Sequence, residues 1–145
     1  MLPDADLLQS LATPAAIIDA GRIRRNIARM QDCVSALSAR FRPHVKISKC
    51  LPVLCAQLAT GATGVTVSTL LEAEQCFAVA VSDILYAVGT APQHLPRVLA
   101  LRRRSYSLNI ITDNASTARM IAEFGPSHPY EKNPASVATR EPDRF

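Results

Sequence analysis

Tryptophan is absent from this 145-residue chain, and four phenylalanines and three tyrosines are its only aromatic residues. A surface that stacks bases needs such rings interleaved with its cations. Neither arginine cluster, Arg22, Arg24, Arg25 and Arg29 or Arg102 to Arg104, contains one. The net charge of +4 and pI near 9.1 therefore read as solvated helix faces, with no nucleic-acid partner expected. Every apolar stretch is broken by Asp, Arg or Gly before the ~18 residues a membrane span requires, so no membrane partner is expected either. The opening run, Met1-Leu2-Pro3-Asp4-Ala5-Asp6, carries acid where a secretory signal carries base, which predicts a cytoplasmic chain. Cys33, Cys50, Cys55 and Cys76 show neither C-x-x-C spacing nor histidines at zinc-ligand distance. A chain that is 48% hydrophobic does not depend on disulfides, and the four are expected to be reduced core thiols.

The length suits one domain of ordinary size. Short β-like runs alternate with helical ones, the pattern of an α/β fold with a parallel sheet. Pro14 to Asp19 reads as a strand entering a helix whose apolar positions Ile23, Ile27, Met30, Val34 and Leu37 recur at steps of four and three. Arg42 to Ile47 reads as the next strand, and Leu51 to Thr60 as a helix with Pro52 in its first turn and Gly61 just past its end. Gly64 to Ser68 is a third strand candidate. Thr69-Leu70-Leu71-Glu72 forms a capping box that opens a helix to about Val81. Asp83 to Val88 is a nearly continuous apolar strand of the kind that helices cover. Thr90 and Gln93 repeat the capping-box spacing, and Pro96 places the regular helix late, through Leu99 to Arg103. Ser107 to Thr112 is the last strand. Asp113 or Asn114 caps a helix through Ala118, Ile121 and Phe124, which Gly125-Pro126 stops. The domain is thus placed at residues 1–125. Residues 126–145 hold four of the ten prolines and no apolar period, which predicts a disordered tail.

The segment with chemical content is Arg42-Pro43-His44-Val45-Lys46-Ile47-Ser48-Lys49-Cys50. On a strand Arg42, His44 and Lys46 share one face while Pro43, Val45 and Ile47 share the other. Three cationic side chains abreast cost free energy unless an anion sits among them, so a phosphate or carboxylate ligand is implied. Like-charge crowding favours the free amine of Lys46, the form that attacks a carbonyl, which no arginine can supply. Arg42 and Lys46 extending into solvent around a satisfied core histidine is the alternative. Elsewhere, Glu72 is explained by capping, Glu74 by solvation or an ion pair, and Tyr86 by the core. Ser68 and Thr69 end a strand at the rim where a ligand contact is open to them. His94 and His128 have no partner nearby in sequence.

The run Arg42 to Cys50, followed by Gly64 to Glu74 (GVTVSTLLEAE) and Asp83 to Val88 (DILYAV), resembles the D-threonine aldolase and D-serine dehydratase family, enzymes of the alanine racemase type. The resemblance begins at Thr13, includes Asn26 and fades after Phe124. It implies a pyridoxal 5'-phosphate (PLP) lyase acting on D-amino acids, built from an N-terminal TIM-like (β/α) barrel and a C-terminal β-domain. This chain would be a fragment holding roughly the first four βα units, near Arg42, Gly64, Asp83 and Ser107, with an unrelated tail. In the family the lysine of the R-P-H-x-K motif bonds to the cofactor, which here is Lys46. His44 and Arg42 match the motif and would line the same pocket. Where family members carry a further histidine this sequence has Ser48. The resemblance also implies a homodimer, and a divalent metal whose His and Cys ligands belong to the C-terminal domain and are absent here. Aldol cleavage, dehydration and racemisation all remain open, as does a non-catalytic PLP-binding protein.

Overall fold

The computed structural model describes residues 5–104 and 107–127, so His128 and the expected tail from residue 128 lie outside the described residues. The fold is α/β. Helix α1 (Ala5–Gln9) precedes α2 (Ala20–Ala36) and α3 (Leu51–Ala59). Strand β1 (Val65–Val67), helix α4 (Leu70–Ala78) and strand β2 (Asp83–Gly89) follow. A 3-10 turn (Pro92–His94) leads into α5 (Leu95–Arg103), β3 (Ser107–Ile111) and α6 (Ala115–Ser127). The three strands form one parallel sheet in the order β1-β2-β3, and among the described residues β3 has β2 as its single sheet neighbour. No described helix is long and apolar enough to cross a membrane.

Alternation along the strands builds the core. Val65, Val67, Ile84, Tyr86 and Leu108 turn one way and are at most 4% exposed, packed with Leu54, Ala73, Phe77, Val98 and Leu101 from the helices. Burying each large aliphatic side chain contributes about 1.5–3 kcal/mol. The capping box at α4 forms as its spacing predicts: Thr69 Oγ1 accepts the Glu72 N–H and the Glu72 carboxylate accepts the Thr69 N–H. Asn114 Oδ1 accepts the N–H groups of Ser116 and Thr117 and so caps α6. Gly61 closes α3 at φ +122, a backbone state that favours glycine.

Several expectations are corrected. Pro14 to Asp19 is not a strand: the residues are exposed coil, with Ile17 at 58% and Ile18 at 44%, because no described strand lies alongside to complete a ladder. Arg42 to Ile47 is reduced to a single parallel bridge, His44 to Thr66, held by Thr66 N–H to Pro43 and Val45 N–H to Thr66. The chain then leaves the sheet in a turn closed by Lys49 N–H to the Val45 carbonyl. Thr90 makes no cap; α5 starts at Leu95, with Pro96 accommodated in its first turn where a missing N–H costs nothing. Helix α6 passes Gly125-Pro126 and ends at Ser127, whose hydroxyl donates to the Glu123 carbonyl. On α2 only Ile27 is buried; Met30 is 51% exposed, and Leu37, just past the helix end, is 78% exposed. The arginines of both clusters lie on exposed positions.

Candidate functional site

On the face of the sheet away from the helices, residues fall into layers set by register. Gly64 and Asp83 stand level with Ser107 at the N-terminal end, and His44, Thr66, Leu85 and Asn109 follow one step on. Lys46 and Ser68 lie beyond them at the C-terminal rim, the end where (β/α) enzymes place their chemistry. There β2 and β3 slip register between Tyr86 and Gly89, an irregularity that re-aims the residues leading away from the sheet.

The three cations expected abreast do not meet. Arg42 turns to the N-terminal end and grips Asp83, its Nη1 donating to Oδ1 at 2.9 Å and Nη2 to Oδ2 at 2.6 Å. The anion that its charge demanded is a carboxylate of the protein, forty-one residues away in sequence. Gly64 makes room for this pair. A Cβ there would stand 2.8 Å from Arg42 Nη1, from Asp83 Oδ2 and from the Asp83 carbonyl, the last being backbone that cannot move aside. Gly64→Ala is therefore expected to cost about 1–3 kcal/mol, read as a lower thermal midpoint. A variant as stable as the parent would show that Arg42 and Asp83 part freely.

At the rim His44 and Lys46 do share one turn. The Lys46 backbone N–H donates to His44 Nδ1 at 3.3 Å, and His44 Nε2 is 3.4 Å from Ser68 Oγ. Lys46 itself is exposed, and among the described residues no ion pair engages it. Lys49, by contrast, holds φ +43 and faces Glu72 at 3.7 Å. Sequence reasoning missed Asp83 as the partner of Arg42 and the second task of Glu72, whose Oε2 accepts the Ser68 N–H at 2.8 Å. The glycine opposite both ends of the Arg42–Asp83 pair was the one signal for the former. Glu74, expected to be solvated or paired, holds Arg97 through two 2.9 Å bonds, which keep its carboxyl below the usual range.

A cavity of about 330 Å³ adjoins this segment, lined by Val45, Lys49, Leu54, Thr69, Glu72 and Cys76 among others. Val45 points into the core and His44 away from it, while Lys49, where the turn closes, lines the cavity beside Glu72. Among the described residues no cluster of His, Cys, Asp or Glu is placed to hold a metal. All four cysteines are free, but only Cys76 is a buried core thiol; Cys33 and Cys55 are exposed and Cys50 is half-buried, because α2 and α3 each cover the core with one side only. Burial, with the Glu72 charge added, pushes the Cys76 thiol up from 9.0 to about 11. The folded state thus prefers the neutral thiol. Its contribution to stability is complete below pH 9 and fades between pH 9 and about 11, as the unfolded thiol ionises first. Denaturation midpoints of Cys76→Ala across this window should decline less steeply than those of the parent; parallel declines would refute the assignment.

The model of the alanine racemase N-terminal domain matches residues 18–137. The chain belongs to that family. Within it, this alanine racemase-like domain is 57% identical over 120 residues to the D-threo-3-hydroxyaspartate dehydratase of Delftia sp. (strain HT23), covering 83% of this chain and 32% of that protein. The solved structure of that dehydratase superposes with a TM-score of 0.79 at 56% identity, over 83% of this chain and 32% of that one. The D-serine dehydratase of Schizosaccharomyces pombe is 30% identical over 135 residues, 90% of this chain and 32% of that protein. For the D-threonine aldolase of Arthrobacter sp. the figures are 29% over 121 residues, 81% and 31%. The chain spans about a third of the length of these relatives. The parallel sheet with its helices accordingly represents part of a barrel-like domain.

Proposed function

We propose that this chain is the lysine-bearing segment of a PLP-dependent lyase for D-amino acids with a hydroxyl on Cβ, with Lys46 as the residue that bonds to the cofactor. The observation that carries this reading is how the cations of the Arg42 to Lys49 segment are engaged. Asp83 takes Arg42 and Glu72 faces Lys49, whereas among the described residues no carboxylate engages Lys46. An ammonium held by a carboxylate is a poor nucleophile; Lys46 is the lysine left available, on one turn with an imidazole. This donor set fits the aldehyde end of PLP: Lys46 is the amine that would bond to it, with His44 on the same turn.

When bound, the cofactor supplies an electron sink for a bond broken at the substrate Cα. The chain supplies the amine that fixes it and an imidazole able to orient or exchange a proton nearby. Arg42, through its pair with Asp83, ties the segment that carries His44 to β2. The 57% identity to a dehydratase favours β-elimination of the hydroxyl over aldol cleavage. As in the relatives' names, the substrate is a small D-amino acid.

The test is incubation with PLP, a spectrum, and borohydride reduction with peptide mapping. A band near the edge of the visible, fixed by reduction onto the peptide containing Lys46, is expected. No band, or label confined to other peptides, would remove the reading. Adduct formation without release of a keto acid or aldehyde from D-amino acids would favour a protein that binds PLP without turnover.

A further inference from the structure

Resting on the reading of Lys46 as the cofactor-bonding lysine, we propose that Ser68 is a positioning residue that fixes the tautomer of His44 and, through it, the turn carrying Lys46. The argument starts at a backbone amide. His44 Nδ1 accepts the Lys46 N–H at 3.3 Å, and a neutral imidazole carries one N–H, so the ring proton is on Nε2. That nitrogen lies 3.4 Å from Ser68 Oγ, and the ring N–H donates to the serine oxygen. The opposite tautomer would set the Nδ1 proton against the Lys46 N–H, two donors face to face. Tautomers of ring nitrogens are set by their partners in this way.

Ser68 can serve as the fixed point because it is itself held. A capping box requires the carboxylate to reach the N-cap N–H, here Thr69 at 3.2 Å. Glu72 Oε2 makes a shorter bond, 2.8 Å, to the N–H of Ser68 one residue earlier, and its side chain is only 13% exposed. Through Oε1 the same carboxylate faces Lys49, where the turn closes. The start of α4 therefore anchors the Lys46 turn at two places: Ser68 acts through His44 and Glu72 through Lys49. The turn lies at the end of one bridged segment and has no ladder of its own, so these side-chain contacts set where the amine can reach.

Imidazole nitrogen spectra of the cofactor-free chain should show His44 with its proton on Nε2, in the parent and in Ser68→Thr. In Ser68→Ala the ring loses its acceptor, and exchange of the Lys46 amide should quicken by about tenfold, the loss of roughly one hydrogen bond. Amides of Ile84 and Leu108 should exchange as before, and Ser68→Thr should restore the parental rate at Lys46. Borohydride trapping of PLP on Lys46 should slow in Ser68→Ala and recover in Ser68→Thr. A parent with the proton on Nδ1, or a Lys46 amide indifferent to Ser68→Ala, overturns the proposal. If the parent traps no PLP while the amide still responds to Ser68→Ala, the cofactor reading fails and the positioning of the turn stands.

Discussion

Lys46→Ala is expected to abolish the borohydride-fixed PLP adduct, while Lys49→Ala retains it. The two lysines lie three apart and belong to one turn, so proximity alone does not separate them. What does is their partners: the Lys49 ammonium faces a carboxylate that is already fixed by two backbone N–H groups. Lys46 shares its turn with the His44 ring, which holds the backbone and leaves the amine available. Arginine at position 46 would not rescue the adduct, because a guanidinium keeps its proton. The measurement is the mass of the reduced protein and its peptide map, and full labelling of Lys46→Ala would end the case for this residue.

Ile84→Ala is expected to lower stability by about 2–5 kcal/mol, the range for deleting a buried branched side chain that leaves a cavity. Ile84 is fully buried, with Val65 and Leu108 level with it on the two neighbouring strands. No nearby loop can collapse into the space, since both flanking backbones are tied into the sheet. Domains are stable by only about 5–15 kcal/mol in total, so this single change removes a large share. The urea midpoint reads the loss, with Leu71→Ala, at 58% exposure, as a control expected to stay within about 0.5 kcal/mol. Equal midpoints for the two variants would mean that the core does not close around Ile84.

Elements whose signals are local were legible in the sequence. Helix α3 is bracketed by Pro52 and Gly61, α4 opens on the Thr69–Glu72 box, and α6 opens on Asn114, one of its two expected caps, because caps act within a few residues. Strand β2 was legible as an apolar run. Pro14 to Asp19 and Arg42 to Ile47 had strand-like composition, but a strand exists only where a neighbour offers its amides and carbonyls, and that neighbour is not written nearby. The same distance hid Asp83 from Arg42. Within the candidate site, spacing places His44 and Lys46 on one face of a strand, whereas they meet in a turn, through the Lys46 backbone N–H and the His44 ring. The anchoring of both to Ser68 depends on the bridge to Thr66, which brings a segment some two dozen residues downstream alongside.

The outer margin of β3 has a consequence for handling the molecule. Among the described residues no strand lies along that margin, and main-chain donors and acceptors arranged in such a row pair with an extended strand when one is alongside. Such pairing reads no side chains and is weakly screened by added salt, so solubility would respond little to ionic strength. It would respond to a proline or an inward-facing lysine placed on that margin, changes that remove a donor or make the approach of another chain costly.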